Sequence, residues 1–509
     1  MKRAVNVLMI LVLVFVCSVP IVCAEQDVTK ILLSDDGITV NGEKISNDIN
    51  NSVYLSLNMN NGGTSEEAKN ANLEVENIIN IIEPGTYEIS GSVSDGQIAI
   101  DANKIDGIVN IVLNNANITC KNAPAIFVYC KDINNEKCKV TISTERDSVN
   151  NIIGNRIKKV SVEGWSDQES IVYYIEKAYD EEGNYYERYK YDGAISSDIS
   201  LTFEGRGTLN VTSTKKEGIE TKMHFTMESG TLIINALDDA INAAEDRKSI
   251  ITINGGTLVA NVLDAAEEGD GIDSNGYIYI NGGTVYAFAH PGSDNGIDSD
   301  LGTYINGGTV FAIGNMYEEA KTSNDTNIIQ MQLKNKINEG DSIVMADENE
   351  NALFAYKADR EFSTVVYSSE KLNQGSYNVY SGTAIVGTLD EYNIYKDITD
   401  VDLSQMTLQE KSTNRFPNRD DMDKNMPFEE KDNTIAIALI IVGVIVAIGV
   451  LIVSVKLPDV GKGILIGNLI AGILAGSLIT YGVINISKDE KKMDFRPQKP
   501  DETFEQRMR

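Results

Sequence analysis

A glycine-threonine mark recurs through the middle of the chain and leaves few ways for it to fold. Ser229-Gly230-Thr231, Gly255-Gly256-Thr257, Gly282-Gly283-Thr284 and Gly307-Gly308-Thr309 place the threonine at intervals of 26, 27 and 25 residues. Gly205-Arg206-Gly207-Thr208, 23 residues before Thr231, is a degenerate earlier copy. A second mark precedes each: Ala194-Ile195, Gly218-Ile219, Ala240-Ile241, Gly271-Ile272 and Gly296-Ile297. A repeat of roughly 20–30 residues with glycine corners and short β-branched runs predicts a solenoid. A hairpin array is the alternative, since Asn-Gly and Gly-Gly also serve hairpin turns. A parallel β-helix better explains why one residue class returns at one point of every unit, because equivalent residues of successive coils stack about 4.8 Å apart.

Stacking makes a specific demand on charge. If the isoleucines point inward, strand alternation turns their neighbours outward. The residues after them are Ser196, Glu220, Asn242, Asp273 and Asp298; two positions before them stand Gly193, Glu217, Asp239, Asp270 and Asn295. Asp238, Asp264, Asp294 and Asp300 lie close by. Carboxylates held at strand spacing repel and need an offset. Hard cations with oxygen ligands suit that role, so Ca2+ is the expected cofactor. A solvated acidic face with diffuse counterions is the alternative. No segment has the spacing of an EF-hand.

The remaining chain adds modules. Met1-Lys2-Arg3, an apolar run and Val22-Cys23-Ala24 predict a signal peptide over 1–24 and hence export. A polar segment follows over 25–76, then strand-like runs begin the solenoid, expected over 77–314. The solenoid is interrupted at about 153–191 by a tyrosine-rich insertion. Trp165, Tyr173, Tyr174, Tyr185 and Tyr186 there are candidates for stacking on sugar rings, with Lys215 and Lys222 as nearby cations. Packing of the insertion on the solenoid would explain the aromatics equally well. Residues 315–392 read as a β-rich cap or small module, 393–433 as a polar linker, and 487–509 as a charged tail. The charge-free stretches 434–455 and 463–486 are each long enough to cross a bilayer, and predict a C-terminal transmembrane helical hairpin anchoring an external solenoid. Cys120, Cys130 and Cys138 follow the signal region; a Cys130–Cys138 bridge or buried free thiols both fit.

A net charge of −31 excludes nucleic acid as a natural partner, which requires a basic footprint. Catalytic signals are poor. Lys215, Lys216, Lys222, Arg206 and Arg247 form no distinctive group, and His224 and His290 carry no catalytic motif.

The runs Gly91 to Ile98, Val109 to Thr119 and Ala123 to Val128 resemble a bacterial family of extracellular carbohydrate-binding domain proteins. The Gly-Ile-Asp-Ser and Asn-Gly-Gly-Thr pairs at Gly271 to Ser274, Asn281 to Thr284, Gly296 to Ser299 and Asn306 to Thr309 resemble it too. The resemblance covers roughly Ile78 to Tyr380. It implies an all-β fold, a right-handed parallel β-helix, with bound calcium and affinity for acidic, pectin-like polysaccharide. The acidic residues beside Ile241, Ile272 and Ile297 would then be ligands. A calcium-stiffened adhesion scaffold and a polysaccharide lyase-like enzyme are the competing functions.

Overall fold

The computed structural model describes residues 28–56, 77–154, 193–292, 294–322, 326–372 and 375–412, and the backbone strands Ile175–Tyr179 and Tyr185–Tyr189. The chain divides into two units, Met1–Arg419 and Asp420–Arg509, and the second lies outside the described residues.

Each repeat is one coil of three strands. The coil from Ile272 comprises Ile272–Ser274, Tyr277–Ile280 and Thr284–Phe288; the next comprises Ile297–Ser299, Gly302–Ile305 and Thr309–Gly314. All three pair in parallel with their counterparts. Thr208, Thr231, Thr257, Thr284 and Thr309 are successive register partners, so the periodic mark read in the sequence is one corner of the solenoid. The second glycine of that mark is required there. Gly256, Gly283 and Gly308 have φ of +83°, +81° and +80°, and a Cβ on each would lie 2.5–2.7 Å from a carbonyl oxygen of the coil before. The asparagine that opens the mark forms a side-chain ladder, Asn306 donating to Asn281, Asn281 to Asn254 and Asn254 to Glu228.

The interior is a column of isoleucine. Ile79, Ile98, Ile126, Ile195, Ile219, Ile241, Ile272 and Ile297 follow one another in register, and all are buried. Each contributes about 1.5–3 kcal/mol by leaving water, and the column locks the register because a one-residue slip would turn it outward. At the N-terminal end Val28–Leu33 pairs in parallel with Gly85–Val93, so part of the polar segment 25–76 belongs to the solenoid.

The other end is closed. Phe362–Ser368 pairs antiparallel with the last coil strand, Thr309–Gly314, and with Ile328–Ile337. Phe311, Phe354, Tyr356, Phe362 and Tyr367 build a second core between them. Arg360 fastens this cap along the side of the solenoid, donating to the carbonyls of Val262 and Ala289 and to Asn261 Oδ1. The expected linker at 393–433 begins later than the sequence implies, because Tyr395–Val401 is a strand paired with Ile385–Leu389. Its apolar residues Tyr395, Ile398 and Val401 pack inward at intervals of three, since two bulges break the usual alternation.

The expected fold class requires one correction. The described structure is an all-β solenoid without a transmembrane helical hairpin. No helix among the described residues is long and apolar enough to cross a membrane. The segments 434–455 and 463–486 lie outside the described residues, as do 1–24 and 487–509. An uncharged run meets a length condition for spanning and is no evidence of helix pairing. Membrane association through C-terminal helices therefore has no support in the described residues. Cys120, Cys130 and Cys138 are buried free thiols, so the bridge is absent.

Candidate metal centre

The short strands of the repeats form one sheet of the solenoid, and their central residues make the expected ladder. Ser196, Glu220, Asn242, Asp273 and Asp298 are register partners in succession. The ladder is withdrawn from solvent more than alternation alone predicts. Ser196 is 1% and Glu220 2% exposed, while Asn242, Asp273 and Asp298 are half-buried. At an effective dielectric constant of about 20, two bare carboxylates at strand spacing repel by about 3–4 kcal/mol. Ordinary hydrogen bonds do not offset that.

The two halves of the ladder meet this cost differently. In the first half lysine supplies the charge. Lys222 forms an ion pair with Glu220, and Ser196 Oγ donates to the other oxygen of that carboxylate at 2.8 Å. Burial alone would lower the Lys222 ammonium, but Glu220 holds it above its ordinary value. Lys216 pairs with Asp238 in the same way.

In the second half the prominent neighbouring charges are other carboxylates. Asp270, Asp273 and Asp298 each present an oxygen within 4.8 Å of the others. Asp239 accepts from the Asp270 amide and from Asn242 Nδ2, at 2.8 and 2.7 Å. Asp270 accepts from the Asn295 amide at 2.5 Å, and Asn295 Nδ2 donates to Asp298 at 2.7 Å. Burial, and then Asp239 and Asp298, push Asp273 up to about 9. Burial, and then Asp238, push Asp239 up to about 7. Asp270 is raised well above the usual range, by burial and then by Asp239 and Asp298. Without a cation this cluster holds protons near neutral pH.

A residue outside the repeats joins the cluster. Glu318 accepts from the amide and hydroxyl of Ser299, both at 2.7 Å, and burial followed by Asp298 raises it to about 8. It lies in the connection after the last coil, where no periodicity draws attention to it.

The other expected ligands are scattered. Asp294 has φ of +64° and accepts from the Gly269 amide. Asp300 is half-buried and adds to the field at Asp273. Glu217 is half-buried and accepts from the Ala194 amide through its main-chain carbonyl. Asp264 is exposed. Of the residues expected to meet sugar, Lys215 is exposed and Lys222 is held in its ion pair. Trp165, Tyr173 and Tyr174 lie outside the described residues, and Tyr185 and Tyr186 sit on an antiparallel backbone hairpin.

The donor set fits a hard cation. Three carboxylates converge, all ligands on offer are oxygen, and the amide oxygen Asn242 Oδ1, next on the ladder to Asp273, is buried with no hydrogen-bond partner among the described residues. Asp270, Asp273 and Asp298 would hold the ion.

Stacked parallel coils with an acid ladder on one sheet define the class as a β-solenoid with an acidic face. The chain belongs to the carbohydrate-binding domain-containing protein family, whose model matches residues 75–358. Carbohydrate is thereby its ligand class. Among solved structures, the polysaccharide lyase-like protein from C. thermocellum, as a gadolinium derivative, is similar at 18% identity and a TM-score of 0.35, covering 59% of this chain and 98% of that one. No curated protein matches.

Proposed function

We propose that this is an exported, calcium-dependent protein that binds acidic polysaccharide without cleaving it. The observation that carries the reading is the convergence of Asp270, Asp273 and Asp298 from successive coils in a carbohydrate-binding family member. Calcium there would offset two of the three carboxylate charges and take a uronate oxygen as a further ligand. Asn295, through its amide on Asp270 and its side chain on Asp298, keeps the carboxylates oriented. A lyase reading finds less support, because Lys216 and Lys222, two of the basic residues that could face a substrate, are engaged by Asp238 and Glu220. The half-buried ladder gives the scaffold reading its own support, since an ion there would also tie two coils together.

Affinity electrophoresis through polygalacturonate separates these readings. The full chain is expected to be retarded with calcium and not with chelator. Asp273→Asn should lose the retardation while remaining folded, because its register neighbour is already Asn242. Calcium that raises the melting temperature without any glycan retardation would instead establish the scaffold. Release of unsaturated uronides would establish the enzyme.

A further inference from the structure

A second feature lies round the corner from the acid ladder. The outward-facing column of the adjoining sheet reads Thr141, Thr202, Thr226, Thr252, Tyr279, Tyr304 and Lys321, each in register with the next. Threonine gives way to aromatic residues only in the last coils, those that carry Asp273 and Asp298. Tyr277, two residues before Tyr279 on the same face, completes the group. Ring centroids are 5.4 Å apart for Tyr279 and Tyr304, 5.9 Å for Tyr277 and Tyr279, and 6.3 Å for Tyr277 and Tyr304. All three rings are partly exposed.

The register also brings a lysine beside them. Tyr277 is partnered by Gly302, which has no side chain. A Cβ at Gly302 would lie 3.6 Å from Tyr304 Cε2 and 3.6 Å from Lys321 Nζ, so a ring edge and an ammonium group close over the buried glycine. The segment that brings Lys321 also brings Glu318, which binds Ser299 beside Asp298. One stretch of chain thus touches both the acid ladder and the tyrosine face.

We propose that Tyr277, Tyr279 and Tyr304, with Lys321 at their end, form a subsite for an acidic sugar chain. The apolar faces of pyranose rings would lie on the tyrosines, and a uronate carboxylate would meet the Lys321 ammonium. Aromatic surfaces supply apolar contact without fixing sequence or charge, whereas the lysine selects the anion. The bordering threonines are neutral and present hydroxyl groups suited to sugar hydroxyls. This inference rests on the carbohydrate reading above and adds a place and a preference to it.

The test uses the full chain with calcium, titrated with polygalacturonate and with its fully methyl-esterified form. Tyr277→Ala and Tyr304→Ala should each weaken both ligands by about tenfold, with calcium binding unchanged and the fold retained, while Tyr277→Phe should bind as the native chain does. Lys321→Gln should weaken polygalacturonate alone and so erase the preference for the acid form. Native binding that survives both tyrosine substitutions overturns the subsite and leaves the carbohydrate reading intact. Tyrosine substitutions that weaken binding, combined with a Lys321→Gln chain that still prefers the acid, overturn the selective role of the lysine. A native chain that binds neither polymer overturns both the reading and the subsite.

Discussion

With calcium chelated, the thermal stability of the protein is expected to fall as pH is raised from about 5 to about 9, and added calcium is expected to abolish the fall. Asp239, Asp273 and Glu318 stand at about 7, about 9 and about 8, against ordinary values of 3.8, 3.8 and 4.5. An acid with a raised value keeps a proton in the fold that the unfolded chain has already lost. Between the two values the folded state binds more protons, so stability decreases with pH. The contribution of these groups is complete below about pH 4 and is lost as pH passes the raised values, at about 1.4 kcal/mol per pH unit for each proton retained. A cation displaces those protons and removes the dependence. Melting curves of the native chain and of Asp273→Asn, in chelator and in calcium, measure it. A native curve in chelator that is flat or rises over this range would refute the electrostatic account of the ladder.

Removing Lys222 should have the other large effect. Glu220 is 2% exposed, and its carboxylate lies between Lys222 and the Ser196 hydroxyl. Lys222→Met strands a buried carboxylate and should cost about 3–5 kcal/mol in urea unfolding. The double change Lys222→Met with Glu220→Gln should recover most of the loss, because the remaining pair is neutral and Ser196 still has an acceptor. A single-variant loss below about 1 kcal/mol would mean the pair is solvated like a surface ion pair.

These two expectations come from the same ladder, and its legibility was uneven. Register was readable because a solenoid gives equivalent residues equivalent surroundings: the Asn-Gly-Gly-Thr corners and the isoleucines stack as their spacing implies. Depth was not readable. Alternation assigns Glu220 and Asp273 to the outer face, but how far that face is covered depends on neighbours distant in sequence. Glu318 carries no sequence signal because it enters from a connection with no repeat. Tyr277, Tyr279 and Tyr304 lie on strands of two different repeats, and only the parallel register shows that the three rings meet. The strand Tyr395–Val401 was concealed by bulges that replace alternation with a spacing of three. The apolar segments near the C-terminus show the opposite hazard, since hydropathy alone prescribed helices that form no part of the described fold.

The central claim is that Asp270, Asp273 and Asp298 hold a calcium ion. Calorimetric titration of the full chain with calcium, at neutral pH in two buffers of different ionisation enthalpy, tests it most directly. The expected result is saturable binding whose heat differs between the buffers, because the protonated cluster releases protons as the metal enters, and loss of that binding in Asp273→Asn. Absence of saturable binding, or equal binding by Asp273→Asn, would contradict the claim.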